Sequence, residues 1–141
     1  ADAIALTLGR IIQKNMEVVR SDLPASVRLR QICTVSTATL FDNRDFLMVV
    51  IDYVLAMTRD GHDMTRRILA YTNGLRRVLR ILLLWGIRHG EFRPDMNVDV
   101  VVDLLYAQFE SAVLRLAVSG DAVQTDVLDR IDEILKGLLK T

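Results

Sequence analysis

Gly86-Ile87-Arg88-His89-Gly90-Glu91-Phe92-Arg93-Pro94-Asp95-Met96 separates two long apolar helix patterns, and its residue types dictate how the chain turns. Gly90 stands where a helix end needs left-handed backbone, a geometry that a residue without a Cβ adopts at little cost. Pro94 lacks the amide that a resuming helix would use, so the helix cannot restart at once. Phe92 is the apolar residue able to fold back over the helix end.

Outward from this corner, the apolar period is 3.6 almost throughout and no strand alternation stands out. The pattern predicts six helices, over about 2–20, 23–40, 44–58, 62–89, 97–119 and 121–139. Asp22 is an expected cap for the second helix, with Pro24 in its first turn. Asp42-Asn43 and Arg59-Asp60-Gly61 are breaks. Asn97 is the expected cap of the fifth helix, and Asp121-Ala122-Val123-Gln124 reads like a capping box for the sixth. The fold class is therefore all-α, an antiparallel bundle of about six helices forming a single domain over 1–141.

The composition narrows the function classes. A chain of 141 residues can bury a core. With 51% hydrophobic and 26% charged residues, it has the balance of a globular domain. Its 18 basic and 18 acidic side chains cancel, so it lacks the broad positive field on which non-specific nucleic-acid binding depends. Cys33 is the single cysteine, which rules out an internal disulfide and suits a reducing cytoplasm, the expected location. The apolar run Ile81 to Ile87 is far shorter than the roughly 20 residues of a membrane span, and no signal-peptide pattern is visible. Membrane association is not expected. The sequence opens at Ala1 within a helical pattern and reads as a fragment or a processed product.

On a helical projection the fifth predicted helix has two apolar faces. Val98, Val101, Val102, Leu105, Phe109, Ala112, Val113 and Leu116 form one stripe. Val100, Leu104, Ala107, Ser111, Leu114 and Val118 form another on nearly the opposite side, with Asp99, Asp103 and Glu110 in a strip between. The apolar residues of the sixth helix span roughly 160°, wider than one docked face requires. Both helices then face their own core and a second copy of the chain, giving an isologous four-helix interface. The expected interface residues are Val100, Leu104, Ala107, Ser111, Leu114, Val118, Leu128, Ile131 and Leu135. The alternative is a monomer in which other helices cover both faces.

The Gly-x-x-x-Gly-x-Phe-Arg-x-Asp corner, set between a long helix and a Val/Leu-rich one, resembles the C-terminal ligand-binding and dimerisation domain of TetR-family transcriptional regulators. The resemblance implies dimerisation through the last two helices, over 97–139, in agreement with the stripes. It also implies that 1–20 is the helix linking this domain to a DNA-reading head, and that a small effector binds among the second to fourth helices. The N-terminal helix-turn-helix of that family is absent from the sequence, so DNA would be reached only through that missing domain.

The second to fourth predicted helices are apolar enough to enclose a cavity. Its candidate lining is Cys33, Thr37, Phe41, Met48, Tyr53, Met57, Tyr71, Leu75, Leu82, Trp85 and Phe109, a mixture that suits a varied apolar or amphipathic ligand. For any one of these residues, packing in the core is the plain alternative, and helical Thr hydroxyls often bond the carbonyl one turn back. Cys33 lies on an apolar stripe and reads as a buried inert thiol. His62 and His89 flank opposite ends of the fourth helix, so no metal site is expected. Arg66, Arg67, Arg76, Arg77, Arg80 and Arg88 make that helix basic. They form either a solvated face paired with the acidic strip of the fifth helix or a site for an anionic effector. No catalytic constellation and no cofactor motif stand out, so an enzyme is not expected. The resemblance thus implies the sensor half of a repressor, and the alternative is a free-standing dimerisation module with a filled core and no ligand.

Overall fold

The computed structural model describes residues 2–43, 45, 47, 48, 51, 52, 63–118 and 124–140. Five helices run through them: α1 (Asp2–Val19), α2 (Ala25–Asp42), α3 (Asp63–Arg88), α4 (Val98–Val118) and α5 (Gln124–Leu138). Residues 45, 47, 48, 51 and 52 are also helical, but the predicted helix over 44–58 lies largely outside the described residues, as does the expected cap at Asp121. No strand occurs among the described residues, and one antiparallel bridge joins Phe92 to Leu139.

The helix α2 is central, packing on α1, α3 and α5, while α4 closes the bundle between α3 and α5. Its buried set runs from Ala25 and Leu29 through Ile32, Cys33 and Thr37 to Leu40. They meet Leu79, Leu82 and Leu83 of α3, Leu105 and Phe109 of α4 and Ile131 and Leu138 of α5 in one core. Burial of each such Leu or Ile stabilises the fold by about 1.5–3 kcal/mol before entropy is counted.

The corner closes as a helix-end motif. Gly90 adopts φ +76°, the left-handed geometry expected of it. Its amide donates to the Ile87 carbonyl at 3.1 Å and that of Glu91 to the Gly86 carbonyl at 2.9 Å, which satisfies two orphan carbonyls of α3. Phe92 is fully buried against Gly86. A Cβ built on Gly86 would overlap the Phe92 ring and stand 3.1 Å from the Ala25 Cβ, so the close approach requires glycine. Beyond the turn, the Val100 amide donates to Asn97 Oδ1 at 3.3 Å, so Asn97 caps α4.

The start of α2 differs from the expectation. Asp22 is exposed and Pro24 occupies the position before the helix, with no side-chain cap of its own. A residue preceding proline is steered away from helical backbone, which keeps Leu23 out and moves the start to Ala25. The capping carboxylate comes instead from Glu91, 65 residues away, which accepts from the Ser26 amide at 2.9 Å.

Candidate functional site

The expected cavity residues divide by depth. Cys33, Thr37, Leu75, Leu82 and Phe109 are buried in the core, Phe41 and Trp85 are half-buried, and Met48 is exposed. Tyr53, Met57 and the side chain of Tyr71 lie outside the described residues. The Thr37 hydroxyl donates to the Cys33 carbonyl at 2.6 Å, and those of Thr34 and Thr39 bond their own helix in the same way. Burial pushes the Cys33 thiol up to about 12, with the nearby Asp132 charge adding to the rise, so it stays a neutral apolar side chain at physiological pH.

Open grooves run between described residues that are not among the expected ligand contacts. About 580 Å³ opens between α2 and α5, about 410 Å³ between α3 and α4, and about 400 Å³ between α1 and α2.

At one end of the bundle, Arg28 is buried with its guanidinium carbon 4.2 Å from the centre of the Trp85 ring. Nη1 donates to the Val19 carbonyl at 3.1 Å, while Nε and Nη2 have no partner among the described residues. The indole shields the charge through its π face, and the carbonyl at the end of α1 attracts it through that helix's dipole. Trp85 in turn stacks on His89, with centroids 3.8 Å apart and Nδ1 of His89 2.9 Å from the Trp85 carbonyl. No cluster of potential metal ligands occurs among the described residues; His62 lies outside them.

The arginines of α3 meet the acidic strip of α4. Arg76 pairs with Asp103 at 2.6 Å and sits 4.3 Å from the Tyr106 ring, and Arg80 pairs with Asp99. These pairs are largely exposed and contribute at most about 1 kcal/mol each. Arg77 and Arg88 are also exposed, and the side chains of Arg66 and Arg67 lie outside the described residues.

The inner stripe of α4 enters the core from Val101 through Leu105 and Phe109 to Val113. Its outer stripe stays in solvent: Val100 is 50% exposed, Leu104 48% and Leu114 54%, with Ala107 exposed and Ser111 half-buried. The side chain of Val118 lies outside the described residues. On α5 the outcome differs from the expectation. Ile131 and Leu135 are buried in the chain's own core, and Leu128 is half-buried against it. Packing on α2 and α4 together consumes most of the wide apolar arc of α5, leaving Asp126, Asp129, Glu133 and Lys136 in water.

Two features escaped the sequence reading. Ile81 and Leu84 are exposed on α3, although their uninterrupted apolar run pointed to a surrounded helix. Glu91 carried no signal as a cap, because its partners lie on a remote helix. Partial burial pushes its carboxyl up, but bonds from the Ser26 hydroxyl and amide and the Ala25 amide, with the Arg28 charge, outweigh this and hold it below the usual value.

No protein-family model and no curated protein matches the sequence. Among solved structures, the chain is similar to the ketosteroid transcriptional regulator KstR2 of Mycobacterium tuberculosis, with a TM-score of 0.73 and 18% sequence identity. The match covers 96% of this chain and 68% of that one. At this identity the likeness concerns the fold alone, a helical bundle among the described residues. No described helix is long and apolar enough to cross a membrane.

Proposed function

We propose that this chain is the sensor and dimerisation domain of a TetR-like regulator, a repressor that takes up a small apolar or amphipathic effector. The observation that carries the reading is α4 within a fold similar to that of the regulator KstR2, with one apolar face in the core and a second in solvent. A second copy covers that outer face, and DNA is bound through a helix-turn-helix segment outside residues 1–141. The effector enters among α2, α3 and the segment 44–58. It opposes DNA binding by a reciprocal coupling, typically about 1–3 kcal/mol.

Thermal unfolding against a panel of small apolar and amphipathic compounds tests the sensor half. A true effector at a hundredfold its dissociation constant adds about 2.7 kcal/mol of stability. The burial of Cys33, Leu75, Leu82 and Phe109 favours a second reading, a dimerisation module with a filled core, and a panel that never raises the melting temperature would select it. Sedimentation of Leu114→Glu tests the dimer: a charge on the outer face gives monomers, and an unchanged mass would remove α4 from the interface.

A further inference from the structure

Three helix ends converge on Glu91. Its carboxylate accepts from the Ala25 amide at 2.7 Å, the Ser26 amide at 2.9 Å and the Ser26 hydroxyl at 2.6 Å, all at the start of α2. Its amide donates to the Gly86 carbonyl of α3, and its carbonyl accepts from the Lys140 amide just beyond α5 at 3.0 Å. Two residues on, the Arg93 amide donates to the Leu138 carbonyl at 2.9 Å and Nε to the Gly137 carbonyl at 3.1 Å. Farther along α2, the Arg30 fork holds Asp132 of α5 at 2.8 and 3.3 Å.

We propose that Glu91 is a positioning residue that makes the start of α2 and the end of α5 one moving unit, so that a displacement of α2 is passed to α5. A carboxylate held by two amides and a hydroxyl cannot let α2 slide without breaking a charge-assisted bond, the stronger kind. Its main chain cannot move with α2 without carrying the strand-like pairing of 91–93 to the end of α5. The corner therefore transmits motion. Resting on the reading under Proposed function, this unit links a helix beside the effector cavity to α5, which packs on α4.

Amide hydrogen exchange on the whole protein tests the relay, comparing wild type with Glu91→Ala and the milder Glu91→Gln. The amides of Ser26 and Arg93 report the two ends, and that of Leu105 in α4 reports global unfolding. In the wild type, Ser26 and Arg93 should open with the same free energy and the same denaturant dependence. Glu91→Ala should speed both by about tenfold beyond any change at Leu105, and Glu91→Gln by less. Acceleration at Ser26 alone, or at neither site, would overturn the relay. Sedimentation of the same samples keeps the two readings apart. A monomer with joint exchange sinks the dimer and supports the relay, whereas a dimer with separate exchange sinks the relay alone.

Discussion

The corner at 86–97 and the outer face of α4 are neighbours in sequence and opposites in physical state. In the corner, glycine, a buried ring and a carboxylate satisfy one another, and the last carbonyls of α3 find donors within the turn. On the outer face of α4, Val100, Leu104 and Leu114 remain about half in water. The first region is complete within one chain. The second has the composition of a core without the packing of one, so its sequence answers to a surface outside the chain.

The contrast can be broken by substitution, beginning with the largest effect. Phe92→Ala removes a fully buried ring from the end of α3 and should cost about 3–5 kcal/mol in urea unfolding. A loss below about 1 kcal/mol would mean that the ring does not anchor the corner. Gly86→Ala comes next. Helix propensity alone would gain about 1 kcal/mol, but the new methyl meets the Phe92 ring and the Ala25 methyl, and overpacking of this kind costs about 1–3 kcal/mol. A more stable Gly86→Ala protein would show that the ring yields.

The Glu91 cap of the corner responds to pH. Its folded-state carboxyl lies below the ordinary value, so its contribution is fully present above the unfolded value near 4.3 and is lost as pH falls through the folded one. At neutral pH, Glu91→Gln should be about 1 kcal/mol less stable than wild type, a typical cap's worth. The two unfolding curves should converge in acid, and a gap that stays constant down to the folded-state value would assign the loss to packing. Smallest is Leu114→Ser. In dilute protein it should change stability by no more than about 0.5 kcal/mol, because the side chain is already in water. As concentration rises, wild type should gain stability over the variant if a second copy covers the face. A large loss at every dilution would mean that Leu114 belongs to the chain's own core.

Local features were legible where the physics is local. Gly90 as the left-handed end of α3, Asn97 as the cap of α4 and the inner stripe of α4 all follow from residue type and a 3.6 period. The cavity lining was less so. Cys33, Thr37 and Leu82 are periodic, and periodicity marks a buried face without separating a packed interior from a hollow one. For the same reason Ile131 and Leu135 read as interface residues, although α2 and α4 together absorb them.

Residue types alone carried the ends of α1 and α3, the start of α4, its two apolar faces and the sharp turn at Gly90. Each depends on neighbours within a turn or two, whose sterics and hydrogen bonding the residue types already carry. Glu91 as the cap of α2, Phe92 seated on Gly86 and the apolar arc of α5 spent on its own bundle emerge only when the helices pack. Those outcomes depend on which surfaces meet across tens of residues. A carboxylate or a leucine carries no mark of its distant partner until the helices have packed.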